Sequence, residues 1–257
     1  MPDLHYSSAG GGEPLVILHG LFGSGKNWQT LARQFEQRFE VYLVDLRNHG
    51  QSFHADEMNY PAMSADVSQL LDLLGIDSVR LIGHSMGGKV AMMLAATQPE
   101  RIERLVVADI APVTYRHHYD DLIDPILALP LAQLKSREQA DQALESAIPE
   151  SQLRAFLLQN LARDRQGWRW RVNWPVIQRD LEYLTGFDGM DSDWRVDAPT
   201  LFIRGALSDY VDDGGIEIIE QRFGNAQFVT LAGAGHWLHA EQPHAFAREV
   251  MDFLDRV

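Results

Sequence analysis

Residues 79–89 of the 257-residue chain are Val-Arg-Leu-Ile-Gly-His-Ser-Met-Gly-Gly-Lys, and this segment is the most specific indication of the fold. The apolar run at its start is typical of a buried strand, and the residues after Ser85 begin a helical pattern. Between them lies a Gly-x-Ser-x-Gly motif, with its glycines at 83 and 87. In a strand–turn–helix context this motif predicts a sharp turn that projects the serine hydroxyl at the carboxyl edge of a sheet. Ser85 is therefore the candidate nucleophile.

Further short apolar runs lie on both sides of this stretch. They are Leu15–His19, Val41–Asp45, Leu105–Asp109, Leu201–Gly205 and Phe228–Leu231. Runs of this length and β-branched content are typical of strands buried on both faces, as in a parallel sheet. Helical patterns separate them at Lys26–Gln37, Pro61–Leu74, Gly88–Gln98, Gly214–Phe223 and Pro243–Val257. This alternation predicts an α/β protein with a mostly parallel, doubly wound sheet.

The alternation of strand and helix stops once, in residues 111–195. That segment has no convincing strand pattern, but it has helical ones at Tyr119–Ala128, Ser136–Ala147 and Ser151–Leu161. A long insertion between two sheet strands is commonly a lid over a site, and the alternative is a helical elaboration that only adds core. We therefore expect a core of residues 1–110 and 196–257 and a helical cap of residues 111–195. The cap would be inserted after the strand that ends at Asp109.

A serine hydroxyl needs a base within hydrogen-bond reach to become a nucleophile. His236 follows the last predicted strand, within Gly-Ala-Gly-His-Trp, and completes the chain order serine, acid, histidine. The loop His19–Gly23 after the first core strand predicts an oxyanion loop, with the backbone N–H groups of Leu21 and Met86 as donors. The alternative is that the glycines of this loop only allow a tight turn, and that the loop binds no oxyanion.

Three residues beside these groups are candidates for substrate contacts, namely Phe22, His84 and Trp237. We expect the acyl chain to lie in an apolar pocket under the cap. The chemistry needs no metal and no organic cofactor, so we expect neither.

The acid partner of His236 has two candidates. The usual place is three residues past the glycine that ends the strand Leu201–Gly205, where this chain has Ser208 followed by Asp209. The other carboxylate is Asp109, at the end of the strand after the Ser85 helix. If Asp109 supplies the charge, we expect Ser208 to accept a hydrogen bond from the imidazole. Asp45 also ends a strand, but there we expect a structural turn held by an Asp–Arg pairing.

The composition limits the partners and the chemistry. Thirty-six acidic residues against 22 Lys and Arg give a formal net charge of -14, which disfavours binding to nucleic acid. The absence of cysteine excludes disulfides, thiolate metal sites and a cysteine nucleophile. No signal-peptide pattern and no apolar stretch of bilayer-spanning length is present. We expect a cytoplasmic protein that acts on a small molecule without a membrane, as a monomer or small homo-oligomer.

Six ordered motifs together resemble the YbfF-type esterases of the α/β-hydrolase superfamily. They are His19–Gly23, Asp45–Gly50, Asn59–Met63, Gly83–Lys89, Asp109–Val113 and Gly233–Glu241. The resemblance implies the α/β-hydrolase fold and esterase activity on short- and medium-chain acyl esters, with acyl-CoA thioesters as a further class. In the family a serine at the usual acid position accompanies an aspartate after the preceding core strand, and Ser208 and Asp109 match those places. Asp209 beside Ser208 departs from this pattern and keeps the alternative acid open.

Other functions share these motifs. Carbon–carbon bond hydrolases, lyases and cofactor-free haloperoxidases use the same triad on the same fold, and a non-catalytic ligand receptor can retain it. Within the cap, four arginines stand close together in an otherwise acidic chain, at positions Arg163, Arg165, Arg169 and Arg171. They could attract an anionic part of the substrate, such as the phosphates of CoA, or simply form a solvated helix face.

Overall fold

The computed structural model describes residues 3–116 and 119–256. Within these ranges the strands are β1 (Tyr6–Gly10), β2 (Glu13–Leu18), β3 (Phe39–Val44), β4 (Val79–His84), β5 (Ile102–Ala108), β6 (Leu161–Asp164), β7 (Gly167–Trp170), β8 (Thr200–Gly205) and β9 (Ala226–Leu231). A seven-stranded sheet has the order β1-β3-β2-β4-β5-β8-β9, and β6 pairs with β7 separately. All pairs in the large sheet are parallel except β1 with β3. The predicted fold class is confirmed.

Helices follow or precede most strands. They are α1 (Gln29–Phe35), α2 (Tyr60–Leu74), α3 (Met86–Thr97), α4 (Asp120–Leu127), α5 (Arg137–Leu144), α6 (Ser151–Leu158), α7 (Trp174–Arg179), α8 (Leu181–Thr185), α9 (Asp213–Arg222), α10 (Leu238–Glu241) and α11 (Pro243–Leu254). In the described ranges, no helix is both long and apolar enough to cross a membrane.

The two faces of the sheet carry separate hydrophobic cores because side chains alternate along each strand. In β2, Leu15 and Ile17 belong to the core beneath α1 and α11. Val16 and Leu18 belong to the core that contains α2 and α3. All four side chains are fully buried. The central strands therefore consist of continuous apolar runs, which made them predictable.

The edge strands differ from this pattern. At one edge β1 has four exposed residues out of five and pairs antiparallel with β3, and no strand was predicted there. At the other edge β9 was predicted to be buried on both faces, but Leu231 is its one fully buried residue. Phe228 is 38% exposed there. An edge strand has a neighbouring strand on one side only and is less completely covered by helices, so part of its apolar surface stays in contact with solvent.

The insertion between β5 and β8 contains α4 to α8, and it also contains the antiparallel hairpin β6–β7. The prediction of an insertion without strands is wrong in this respect. Apolar side chains of α4, α6 and α7 join the same core as α2 and α3, so the insertion packs directly on one face of the protein. The division into core and cap at residues 110 and 196 stays a prediction.

The turn that begins at Asp45 is held differently from our expectation. Arg47 pairs with Asp66 of α2, through Nε–Oδ2 and Nη2–Oδ1 distances of 2.6 and 2.8 Å. Asp45 instead accepts hydrogen bonds from the backbone N–H groups of Gly25, at 2.7 Å, and Gln51, at 2.9 Å. The predicted Asp45–Arg47 pairing is therefore wrong, because the turn directs the arginine towards α2.

Candidate active site

Ser85 occupies a strained turn between β4 and α3. Its φ of 51° and ψ of −119° lie in a region that side-chain-bearing residues rarely adopt. A Cβ at Gly83 would lie 2.3 Å from the carbonyl oxygen of Gly87, and one at Gly87 would lie 2.5 Å from that of Leu18. Both positions therefore require glycine, and the turn aims Ser85 away from the sheet with the helix directly behind it.

A hydrogen-bonded line connects Ser85 to a buried carboxylate through His236. The Nε2 atom of His236 lies 3.0 Å from Oγ of Ser85, and its Nδ1 lies 2.7 Å from Oδ2 of Asp109. Asp109 follows β5, and His236 lies in the loop between β9 and α10. The histidine side chain is 21% exposed, whereas the aspartate side chain is completely buried. Side chains that follow three different strands thus form one hydrogen-bonded series, which could take a proton from the serine hydroxyl.

Asp109 is held from several sides. Its backbone has a φ of 52°, and its N–H donates to the carbonyl of Ile203 at 2.8 Å. Its Oδ1 accepts from the N–H of Gly205 at 3.0 Å, so Oδ2 is turned towards His236. Asp209, the alternative acid, is exposed, and in the described part of the chain no hydrogen bond or ion pair joins it to His236.

Ser208 is part of the site, but its bond differs from the expected one. Its hydroxyl donates to Oδ2 of Asp109 rather than accepting from the imidazole. The Asp109 carboxylate already lies against Nδ1 of His236, so the hydroxyl finds its acceptor in the carboxylate instead. The expectation of a Ser208–imidazole hydrogen bond is therefore wrong.

Two tyrosines pack beside the imidazole, one directly and one through the first, and neither was predicted from the sequence. The Tyr210 ring stacks on the His236 ring at a centroid distance of 3.8 Å and an interplanar angle of 15°. The hydroxyl of Tyr115 donates to the carbonyl of Tyr210 at 2.6 Å, and the two rings lie 5.2 Å apart. No sequence motif marks either residue, because their contacts join segments 95 residues apart.

The predicted oxyanion donors lie on either side of Ser85. Met86 carries the first N–H of α3, and Leu21 lies in the loop after β2. Among the described residues, neither backbone N–H has a hydrogen-bond acceptor. The loop conformation is fixed at Phe22, whose φ is 64°, whose N–H donates to Nε2 of His49 at 3.1 Å, and whose carbonyl accepts from Asn160 at 2.7 Å. Such preorganised donors could bind a developing oxyanion.

A cavity of about 290 Å³ opens beside Ser85 and His236. The predicted contact residues Phe22, His84 and Trp237 all line it, and so does the loop of Leu21. Most of the remaining lining is apolar or aromatic, and the insertion contributes half of it, through Tyr119, Leu122, Leu153 and Phe156. The insertion therefore forms one wall of the cavity that contains the candidate nucleophile.

Four histidines surround this site and are buried in neutral form. Burial lowers the pKa of His49 and that of His239 to about 3 each. Burial also lowers the pKa of His19 and, more strongly, that of His84. Neutral rings suit their contacts: His19 lies 2.8 Å from the carbonyl of Gly20 through Nδ1, and its Nε2 accepts from the N–H of Leu46 at 3.0 Å. These side chains pack around the site, and burial disfavours their charged form.

The cap arginines lie elsewhere. They belong to the hairpin β6–β7 and its flank, not to a helix face, and none of the four lines the cavity of Ser85. Arg169 pairs with Asp164 at 2.9 Å, with both side chains exposed. Arg169 and Arg171 border a separate polar groove with Gln51, Ser52 and His54. In the described ranges, no group of three or more His, Asp or Glu side chains could hold a metal ion.

Comparison with known proteins adds independent information. A family model described as alpha/beta hydrolase fold matches residues 13–243. An sn-1-specific diacylglycerol lipase of Xenopus laevis is 41% identical over 98% of this chain and 84% of its own length. The esterase YbfF of Escherichia coli K12 is 38% identical over 94% of this chain and 93% of its own length. A solved marine microorganism esterase superposes with a TM-score of 0.94 at 40% identity, covering 98% of this chain and all of that one.

Proposed function

Because this chain is an ester hydrolase of the α/β-hydrolase family and belongs within it to the YbfF-type esterases, we propose that it acts through Ser85, His236 and Asp109 on short- to medium-chain acyl esters. One observation carries the proposal. The side chains of these three residues form a continuous hydrogen-bonded line, and its serine end opens into an apolar cavity. A hydroxyl with a positioned imidazole and a buried carboxylate is the arrangement that acyl transfer requires.

The proposed reaction has two halves. In the first, Ser85 Oγ attacks the acyl carbonyl while Nε2 of His236 takes the hydroxyl proton, and the imidazolium is stabilised by Asp109. The N–H groups of Leu21 and Met86 bind the oxyanion of the tetrahedral intermediate. His236 then gives its proton to the departing alcohol, and an acyl-serine remains.

In the second half, water attacks the acyl-serine. His236 takes a proton from the water as the new bond forms, and it returns this proton to Ser85 Oγ as the carboxylic acid leaves. The enzyme is thereby regenerated with every proton accounted for. No metal or organic cofactor takes part in the proposed mechanism.

The substrate class follows from the cavity. A space of about 290 Å³ with aromatic and aliphatic walls, close to a few polar groups, suits an apolar acyl chain better than a sugar or a peptide. Acyl-CoA thioesters are a second candidate. They are favoured by the positive charge of the cap arginines, although the groove beside Arg169 and Arg171 shares no lining residue with the cavity.

Two measurements test the proposal. A fluorophosphonate should add one phosphonyl group to the intact protein, on Ser85 by peptide mapping. A panel of p-nitrophenyl esters from acetate to palmitate, with acyl-CoA thioesters beside it, should show turnover with an optimum at short or medium chain length. Labelling without turnover of any ester or thioester would contradict the esterase proposal and favour a carbon–carbon hydrolase, a lyase or a ligand receptor.

A further inference from the structure

Lys89 is a buried cation one helical turn beyond the candidate nucleophile. Its N–H donates to the carbonyl of Ser85 at 3.1 Å, and its side chain is among the largest that are fully buried. The ammonium donates to three carbonyl oxygens, those of Val113 at 2.8 Å, Thr185 at 2.9 Å and Gly186 at 2.5 Å. An ammonium has three donors, so each of them is satisfied.

The three acceptors lie at the two ends of the insertion. Val113 comes four residues after Asp109, where the chain leaves the sheet, and Thr185 ends α8 shortly before the chain returns to β8. The amide of Tyr115 donates to the carbonyl of Thr185 at 2.9 Å and so joins the two ends directly. Lys89 therefore connects the helix that carries Ser85 to both ends of the segment that covers the cavity.

The contacts of Lys89 continue to the imidazole. Its ammonium lies 4.7 Å from the ring centroid of Tyr115, within the range of a cation–π interaction. The hydroxyl of Tyr115 donates to the carbonyl of Tyr210, and the Tyr210 ring stacks on His236. One continuous set of contacts thus runs from Lys89 through two tyrosines to the candidate base.

The lysine at this place loses hydration and gains three hydrogen bonds. Burial lowers the pKa of Lys89 to about 7, against the opposing influence of the Asp188 charge, so the ammonium is held there at the expense of its hydration. An apolar side chain of similar volume would avoid that loss, but it would leave three carbonyl oxygens without the donors that the ammonium supplies. Because these hydrogen bonds are directional, they hold the three carbonyls, and with them both ends of the insertion, in one arrangement around the ammonium.

We propose that Lys89 is a positioning residue: its ammonium holds both ends of the insertion against the nucleophile helix and, through Tyr115 and Tyr210, fixes the His236 imidazole. This inference rests on the proposed role of His236 as the base. It assigns to the lysine of the Gly-x-Ser-x-Gly-Gly-Lys motif a task that the proposed mechanism does not use.

Kinetics of two variants test it. Lys89→Met keeps the volume and removes the donors, and we expect kcat to fall roughly tenfold to a hundredfold with KM changed by less than about threefold, because a displaced base slows proton transfer. Tyr60→Phe is the matched control. It removes another hydrogen bond between core and insertion, from the Tyr60 hydroxyl to the carbonyl of Leu184 at 2.5 Å, and keeps its ring beside Lys89. Equal losses in both variants, or an unchanged kcat in Lys89→Met, would overturn the proposal.

Hydrogen exchange separates this proposal from the proposed function, because it needs no substrate. The Tyr115 amide should exchange faster in Lys89→Met than in the wild type and remain protected in Tyr60→Phe. If the wild type hydrolyses no ester, the function fails while this readout still decides whether Lys89 holds the insertion. Unchanged protection of Tyr115 in Lys89→Met would reject the holding role.

Chemical rescue provides a variant for the case that Lys89→Met does not fold. The chain has no cysteine, so Lys89→Cys can be aminoethylated selectively in denaturant, which rebuilds an ammonium at lysine length. After refolding, the alkylated protein should regain most of the kcat of wild type taken through the same steps, and unalkylated Lys89→Cys should not. Equal kcat values with and without the aminoethyl group would show that the ammonium has no positioning role.

Discussion

The carboxyl edge of the sheet and the hairpin β6–β7 of the insertion both carry charged side chains, in opposite surroundings. Asp109 is completely buried, and its carboxylate binds a backbone N–H, a hydroxyl and an imidazole. Arg169 is 59% exposed and has one exposed ion pair. These three hydrogen-bond partners hold the Asp109 carboxylate in one orientation, so its charge acts on the imidazole at a fixed distance. The charge of Arg169 can act only as a screened, long-range attraction.

At the buried edge, removal of the candidate nucleophile should cause the largest fall in kcat. Ser85→Ala should leave the fold intact, since Gly83 and Gly87 permit the turn, and should lower kcat for a p-nitrophenyl ester by about 10⁶. Steady-state assay of the purified variant, with circular dichroism as the control for folding, measures this. Activity near that of the wild type would refute the assignment of Ser85.

The two candidate acid partners of His236 differ in burial, and replacing each of them by asparagine distinguishes their roles. Asp109→Asn should lower kcat by about 10⁴, because the buried amide cannot stabilise the imidazolium. Asp209→Asn is its matched control, one exposed carboxylate removed next to Ser208 in the sequence, and should lower kcat by less than about tenfold. The opposite ranking would transfer the role of acid to Asp209.

Ser208 should have an intermediate effect. Ser208→Ala removes one hydrogen bond to the Asp109 carboxylate and no charge, so we expect kcat to fall roughly tenfold to a hundredfold, as for the loss of a bond to a charged group. Ser208→Thr keeps the hydroxyl and should retain most of the activity. An Ala variant as active as the wild type would show that Gly205 and His236 suffice to hold the carboxylate.

The buried histidines should make the protein sensitive to acid. Their pKa values are lowered by burial, so below pH about 6.5 the unfolded chain binds protons that the folded chain does not, and stability falls as the pH falls. Urea unfolding at pH 5 to 7 measures the slope. His239→Phe keeps the stack on Trp28, at 4.2 Å, and should reduce the slope by about one proton, or about 1.4 kcal/mol per pH unit.

The matched control for this measurement is His244→Gln. His244 is exposed on α11, so its ring is hydrated in the folded and the unfolded chain alike. The pH slope of the free energy of unfolding should stay as it is in the wild type. A slope that is equally reduced in both variants would show that burial of His239 is not its origin.

The smallest effect belongs to the hairpin. Reversing the charge in Arg169→Glu/Arg171→Glu should raise KM for an acyl-CoA by roughly threefold to tenfold at low salt and leave neutral esters unaffected. Arg33→Glu/Arg248→Glu, on exposed positions of α1 and α11, is the control because it changes the net charge by the same amount. Equal changes for charged and neutral substrates would assign a structural role to the two arginines.

The contrast between these regions also explains what the sequence could predict. Five of the six parallel strands were found because continuous burial leaves a continuous apolar run, and β9 was found from its apolar residues although most of them are not buried. The strand β1, with the sequence Tyr-Ser-Ser-Ala-Gly, is largely exposed and has no such pattern. The strands β6 and β7 have four residues each and carry Arg and Asp, so they are too short to show an alternation of apolar and polar side chains.

Tertiary contacts set the limit at the site. Motifs and chain order predicted Ser85, His236 and both aspartates as candidates. The structure brings Asp109 to the imidazole and Ser208 to the Asp109 carboxylate. The direction of the Ser208 hydrogen bond and the stack of Tyr210 on His236 arise from packing between distant segments. Local sequence carries no record of such packing, and the catalytic roles of the assembled residues stay predictions.

The positive φ angles of Phe22, Ser85 and Asp109 have a consequence for directed evolution. Each of these conformations costs about 1–3 kcal/mol in a residue with a side chain, and glycine would relieve it. At Phe22 and Asp109 glycine would also remove a buried ring or a hydrogen-bonded carboxylate, so the net gain is expected at 85 alone. A library screened only for survival on heating would therefore be enriched in glycine at 85, where the proposed mechanism needs a hydroxyl. Selection for thermostability in this protein should be paired with a turnover screen from the first round.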